Sequence, residues 1–196
     1  MSARALFDAA LSAARDWYGS LPAAREFCDW PEDLVWADRA AFHLPAADLI
    51  ASDPGQPNAT SAPLMAALQT LVPYAEWRHN YTADEVGQDF LNRFCWCELA
   101  GPHGHFHSDS ARLTVGYWGP GLYYPPHNHA PAELYTVVSG QALFHAEGEA
   151  DLTLSPGDTR LHQPNQPHAL TTTDHPVLTF VLWRGEGLGE LMRLSA

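Results

Sequence analysis
Residues 121–140 read Gly-Leu-Tyr-Tyr-Pro-Pro-His127-Asn-His129-Ala-Pro-Ala-Glu133-Leu-Tyr135-Thr-Val-Val-Ser-Gly140. His127, His129, Glu133 and Tyr135 are all odd-numbered, so in one extended segment the two-residue period of a strand turns all four side chains to one face. Two imidazoles and a carboxylate converging on a barrel interior form a nitrogen and oxygen donor set suited to a divalent transition metal: Fe, Zn, Mn, Co or Ni. A fourth ligand is expected from a neighbouring strand. His168, closing Pro164-Asn-Gln-Pro-His168 and opening the segment 168–173, is the candidate.

Around this run, short segments rich in Val, Thr, Leu and aromatics alternate with Gly or Pro turns: 111–118, 134–138, 141–146, 150–154, 159–163, 168–173 and 177–183. Turn signals about 8–12 residues apart point to a small sandwich or barrel. The first hundred residues follow a different period. Leu6, Ala9, Ala10, Ala13 and Trp17 recur at helical spacing within 2–21, and Pro22 marks a break. Further helices are expected over 23–28, 63–71 and 83–94, the last with Thr82 as cap and Glu85 completing a capping box. The stretch 51–61 reads as a surface loop. The loop 101–110 carries His103-Gly-His105-Phe-His107 with no carboxylate in register and reads as solvated. The expected organisation is mainly β: a helical extension over 1–100, then a jelly-roll barrel over 101–196. The helical layer is expected to serve as a scaffold or homodimer face, or to close one barrel end.

Against 23 Asp+Glu stand 10 basic residues, all arginine, for a formal net charge of -13 over 196 residues. A chain so acidic, with no basic run, is not suited to gathering phosphates or anionic lipid, so neither nucleic acid nor membrane is expected as a partner. Apolar stretches are only a few residues long, short of the roughly 18–20 that span a bilayer. Residues 1–18 lack the continuous apolar core of a secretory signal, and Cys28, Cys95 and Cys97 form no even disulfide framework. A cytoplasmic protein with buried free thiols and a small-molecule partner is expected.

The run from Gly121 to Gly140 is similar to the first cupin motif: glycine, five residues, His-x-His, three residues, glutamate, six residues, glycine. The span from Gly157 to His168 resembles the second motif in spacing. Gln163, Asn165 and Thr172 stand where that motif has proline, glycine and asparagine. Within the cupins, the chain resembles the dimethylsulfoniopropionate lyases of the small-cupin type through Tyr124, Tyr135, His168 and Trp183. The resemblance implies a cupin double-stranded β-helix, with His127, His129, Glu133 and His168 as metal ligands and Tyr135 as catalytic base. It also implies β-elimination of a zwitterionic substrate to dimethyl sulfide and acrylate.

The chemistry can be argued on its own terms. Removing a proton beside a carboxylate needs that carboxylate neutralised, which a Lewis-acidic metal can do. A phenol of ordinary pKa near about 10 is drawn towards working range by a dication. Aromatic faces suit a sulfonium, and Tyr123, Tyr124 and Trp183 are candidates for that contact; Trp118 leans towards structure. Taken alone, Tyr135 also fits a core tyrosine and Trp183 a core tryptophan. Arg112, Arg160 and Arg184 fit surface ion pairs as well as a substrate carboxylate. The same fold also accommodates an iron-dependent dioxygenase or a metal-dependent isomerase on another small carboxylic acid, and a non-catalytic ligand-binding cupin.

Overall fold
The computed structural model describes residues 2–195. Ser2 caps α1 (Ala3–Ser20) by accepting from the Ala5 N–H, and Pro22 opens α2 (Pro22–Phe27), where a missing N–H leaves no hydrogen bond unmade. The chain continues through β1 (Val35–Trp36), α3 (Pro45–Ser52), α4 (Ala62–Leu71), α5 (Ala83–Val86) and α6 (Gln88–Arg93). Thr82 and Glu85 form the expected reciprocal capping box. The helix read over 83–94 is two helices, because Gly87 sits at φ 83°, a left-handed conformation that interrupts the ladder. No helix among the described residues is long and apolar enough to cross a membrane.

The remaining elements are strands: β2 (Phe94–Gly101), β3 (Phe106–His107), β4 (Arg112–Trp118), β5 (Tyr123–Asn128), β6 (Ala132–Gly140), β7 (Ala142–Ala146), β8 (Leu152–Leu154), β9 (Thr159–His162), β10 (His168–Thr171), β11 (Val177–Arg184) and β12 (Arg193–Leu194). They form a seven-stranded sheet in the order β1-β3-β2-β4-β11-β6-β9 and a five-stranded sheet in the order β12-β5-β10-β7-β8. Every strand pair is antiparallel except β2 with β3. Side chains of both sheets share one interior cluster, so the two sheets enclose the expected jelly-roll barrel.

The central strands of the large sheet, β2, β4, β6 and β11, are buried on both faces. In β11, Leu178, Phe180 and Leu182 join the core beneath the helices, while Val177, Val181 and Trp183 point into the barrel. In β6, Leu134 and Val138 face the helices, whereas Tyr135 and Val137 face inward. Phe7, Ala10, Ala14 and Trp17 of α1, with Leu64 and Leu68 of α4, cover the outer face. α1 and α4 are therefore a second layer against the sheet, while Phe90 and Leu91 of α6, with Tyr81, join the interior cluster of the barrel, where Phe90 and Tyr81 pack on Phe94 and Tyr124. Burying each large apolar side chain contributes roughly 1.5–3 kcal/mol, so this layer is integral to the fold.

The change from helix to strand falls at Phe94, ahead of the boundary read near residue 101. Phe94–Gly101 pairs along β4, so the sheet begins in the segment expected to be helical. The turn residues of the motifs behave as their positions demand. Gly140 has φ 78°, and a Cβ there would lie 1.9 Å from the Pro176 carbonyl oxygen. Asn165, standing where the second motif has glycine, takes φ 58°, the left-handed region that asparagine tolerates better than other side chains. Thr172, in place of the motif's asparagine, donates to the Gly119 carbonyl and accepts from the Leu122 N–H, both buried. The loop geometry is thus kept by different chemistry.

Candidate metal centre
β5 and β6 are not one extended segment: β5 belongs to the small sheet and β6 to the large one. The chain turns between them at His129, Ala130 and Pro131, and the convergence expected from a single strand comes instead from a corner between facing sheets. His127 ends up opposite His168 in the β5–β10 pairing. Glu133 lies opposite Trp183 on β11 and His162 on β9. His129, Glu133 and His168 each present one ligand atom within 4.8 Å of the others, all buried. His127 is packed beside them, its ring centroid 4.1 Å from that of His168.

Each of the three histidines is held by a carbonyl two residues away. Nδ1 of His127 lies 3.0 Å from Pro125 O, Nδ1 of His129 3.0 Å from Pro131 O, and Nδ1 of His168 2.9 Å from Gln166 O. A carbonyl only accepts, so each Nδ1 carries the proton and each Nε2 presents a lone pair. Those lone pairs face an acceptor: Glu133 Oε2 is 3.2 Å from His129 Nε2 and 3.1 Å from His168 Nε2. The Nε2 atoms of His127 and His168 have no hydrogen-bond partner although both are shut off from solvent. Lone pairs converging on a carboxylate call for a cation between them. Ligands held about 2.0–2.2 Å from one ion stand roughly 3.0–3.5 Å from one another, the spacing seen here.

Ring orientation is a second test. A metal sits in the plane of an imidazole that binds it, so two rings share an ion only where their planes cross. The planes of His127 and His129 cross that of His168 at 62° and 72°. The donor set therefore fits a divalent transition metal. Protonation agrees. Burial, then the neighbouring His168, pushes His127 well below the ordinary histidine range. Burial raises the Glu133 carboxyl, but positive charge on the side of His129 and His168 outweighs it and holds the group well below the ordinary carboxylate range. Neutral imidazole and ionised carboxylate are the forms that ligate.

Trp183 and Arg112 support the cluster. The Trp183 Nε1–H donates to Glu133 Oε1 at 2.7 Å, and the indole stacks on His129 at 4.0 Å. The Arg112 guanidinium lies 4.5 Å from the centre of the Trp183 ring, and its Nε is 3.0 Å from Glu98 Oε2. Arg112 and Arg160 are therefore not surface ion-pair residues. Arg112 is tied to Glu98 and to the carbonyls of Leu188 and Glu190, and Arg160 donates to the carbonyls of Phe144 and Ala150.

Tyr135 follows Glu133 by one strand repeat on the inward face of β6, with its ring centroid 6.2 Å from that of His168. Burial first, then the Glu133 carboxylate and Tyr81, push its phenol well above the ordinary range. Tyr124 is buried, stacks on His127 at 4.0 Å and shares a 2.8 Å hydroxyl hydrogen bond with Tyr81. Tyr123 does not reach the site. It is 55% exposed on the outer face of β5, because successive strand residues point to opposite sides. Trp118 packs on Phe94, Tyr124 and Tyr135 in the interior.

Two residues of this interior carried no local signal. Tyr81 precedes a helix cap and reads as part of a loop. His162 sits in the segment 159–163, but Thr-Arg-Leu-His does not tell which side faces inward. The loop histidine His105 was misplaced by its Gly-Pro surroundings: it is buried, stacks on Phe7 at 3.9 Å and accepts from the Glu76 N–H at 3.0 Å. His103 and His107 are exposed. Cys28, Cys95 and Cys97 are free, the last two buried, as expected.

Residues 32–179 match the family model for dimethylsulfoniopropionate (DMSP) lyase. Over 166 residues the chain is 38% identical to dimethylsulfoniopropionate lyase DddQ of Ruegeria pomeroyi, covering 84% of this chain and 82% of that protein. A chain from the crystal structures of the DMSP lyases RdDddP and RnDddQII superposes with a TM-score of 0.97 at 57% identity over the whole of both chains. The crystal structure of DddQ from Ruegeria pomeroyi superposes with a TM-score of 0.92 at 34% identity, over 97% of this chain and 96% of that one. By sequence and by fold, this chain belongs to the dimethylsulfoniopropionate lyase family.

Proposed function
We propose that the chain is a metal-dependent carbon-sulfur lyase that cleaves dimethylsulfoniopropionate to dimethyl sulfide and acrylate in the cytoplasm. The observation that carries the reading is the placement of Tyr135 one strand repeat beyond Glu133, on the same inward face as the histidine–glutamate cluster. His127, His129, Glu133 and His168 would hold the metal. Bound there, a divalent ion supplies the Lewis acidity that neutralises the substrate carboxylate and the charge developing beside it.

Tyr135 takes the proton from the carbon next to the carboxylate. The electrons of that C–H bond form the new C=C bond, and the C–S electron pair leaves with sulfur as neutral dimethyl sulfide. No acid is needed for this leaving group. Because burial and Glu133 hold the Tyr135 phenol high, turnover depends on positive charge beside Glu133. Trp183 fixes the Glu133 carboxylate through its Nε1–H. Of the aromatic candidates for the sulfonium, Trp183 is covered by His129 and by the Arg112 guanidinium, which leaves Tyr124 beside the cluster to offer its ring.

Incubating the protein, reconstituted with each of Fe, Mn, Co, Ni and Zn, with dimethylsulfoniopropionate in parallel anaerobic and aerobic samples tests the reading. Dimethyl sulfide and acrylate are expected in equal amounts. Oxygen consumption with a carboxylic acid, and no dimethyl sulfide, would move the assignment to an oxygenase.

A further inference from the structure
His162 is fully buried on β9, and neither of its ring nitrogens has a hydrogen-bond partner. Along β9, Arg160 and His162 turn inward while Leu161 is exposed, so the imidazole belongs to the barrel interior. It pairs in register with Glu133, stacks on His168 at 4.1 Å and meets the Tyr135 ring edge-on at 5.6 Å. The His162 and His168 rings are parallel to within 12°. Stacked face to face in this way, the two imidazoles would not both present a lone pair to one ion, so a metal held by His168 would leave His162 free. A neutral imidazole always carries one N–H donor. Left without an acceptor in a dry interior, that donor costs about 1–3 kcal/mol, so its position calls for a polar occupant.

The cationic donors of the interior are engaged elsewhere. Arg112 is bound to Glu98 and to two backbone carbonyls, Arg160 is bound to the Phe144 and Ala150 carbonyls, and the chain has no lysine. Trp183 Nε1 is taken by Glu133, and one of the Tyr81 and Tyr124 hydroxyls donates to the other. Trp118 Nε1 is unpartnered, but its ring packs on Phe94, Tyr124 and Tyr135 and not on the histidines. The geometry points to His162 as a substrate-binding residue whose N–H donates to a carboxylate oxygen of the ligand, fixing the acid beside Tyr135. This rests on the reading that the site takes a short carboxylate.

Propionate, a carboxylate without the sulfonium, is the probe, and the Co(II)-loaded protein reports on it through the visible d–d bands. In His162→Phe, propionate is expected to bind about 10- to 100-fold more weakly, the loss of one hydrogen bond to a charged group. The cobalt stoichiometry and the spectrum without propionate should match wild type, and His162→Gln, which restores an N–H donor, should recover most of the affinity. Unchanged affinity in His162→Phe, an altered cobalt spectrum or lost cobalt in that variant, or no recovery in His162→Gln overturns the inference. So does a wild-type protein that does not bind propionate. If wild type binds propionate and His162→Phe does not, yet no dimethyl sulfide is released from dimethylsulfoniopropionate, the lyase reading fails and the role of His162 stands.

Discussion
On the seven-stranded sheet, neighbours in one strand serve opposite ends. Leu134 and Val138 of β6 face α1 and α4, where the buried side chains are almost all hydrocarbon. Glu133 and Tyr135 face the barrel, where buried histidines, a carboxylate, tyrosines and arginines crowd together, several with no partner for a polar atom. One backbone carries both. The outer face gives stability through close packing, and the inner face spends some of it to keep charged and lone-pair groups dry and converging. Local frustration on one face is tolerated because the opposite face is so well satisfied.

That division can be broken from either side. Tyr135→Phe, on the inner face, should lower dimethyl sulfide release by about 10²–10⁴-fold, the range for loss of a general base. Metal content and melting temperature should stay at wild-type values; loss of the metal together with activity would make the tyrosine chiefly a ligand. Phe180→Ala lies on the outer face, where Phe180 is buried against Trp17 with ring centroids 6.5 Å apart. It should cost about 3–5 kcal/mol in denaturant unfolding, with metal affinity and turnover per folded molecule unchanged. A Phe180→Ala protein that keeps its stability but loses metal would erase the distinction between the faces.

Trp183→Phe tests the support beneath the ligands. Losing the Nε1–H on Glu133 should weaken metal binding about 10- to 100-fold, measured by competition with a chelator, while leaving the stacked ring in place. The smallest effect concerns pH. Burial, the largest cause, pulls His105 down to about 4, whereas an unfolded histidine titrates near about 6.5. Between these values the unfolded chain binds more protons, so the stability tied to His105 is full above about pH 6.5 and falls as pH drops towards 4. In His105→Phe the unfolding midpoint should change less steeply over that window, and an unchanged slope would remove His105 from the acid response.

What could be read from residues alone follows the same division. The candidate ligands His127, His129 and Glu133 are legible because a metal motif is local, and His168 because it opens a strand after a Pro-rich turn. The β7 to β11 strands are legible through their Gly and Pro punctuation. β2 was hidden because Phe-Cys-Trp-Cys-Glu-Leu-Ala-Gly is buried on both faces, so no polar alternation marks it, and no turn residue separates it from α6. That β5 and β6 lie in opposite sheets was hidden too, since a corner and a continuous strand preserve the same parity. Tyr81, His162 and the Glu98–Arg112 pair become neighbours of the site only through pairing between distant strands and loops, which no spacing in the sequence records.

The central claim is that one ion held by the inner-face histidines and Glu133 makes Tyr135 an effective base. Titrating metal-free protein with a divalent ion, while measuring bound metal and dimethyl sulfide release on the same sample, tests it most directly. The rate should rise in proportion to bound metal and level off at one ion per chain. Full activity in metal-free protein, or no dimethyl sulfide at one bound ion of Fe, Mn, Co, Ni or Zn, would contradict it.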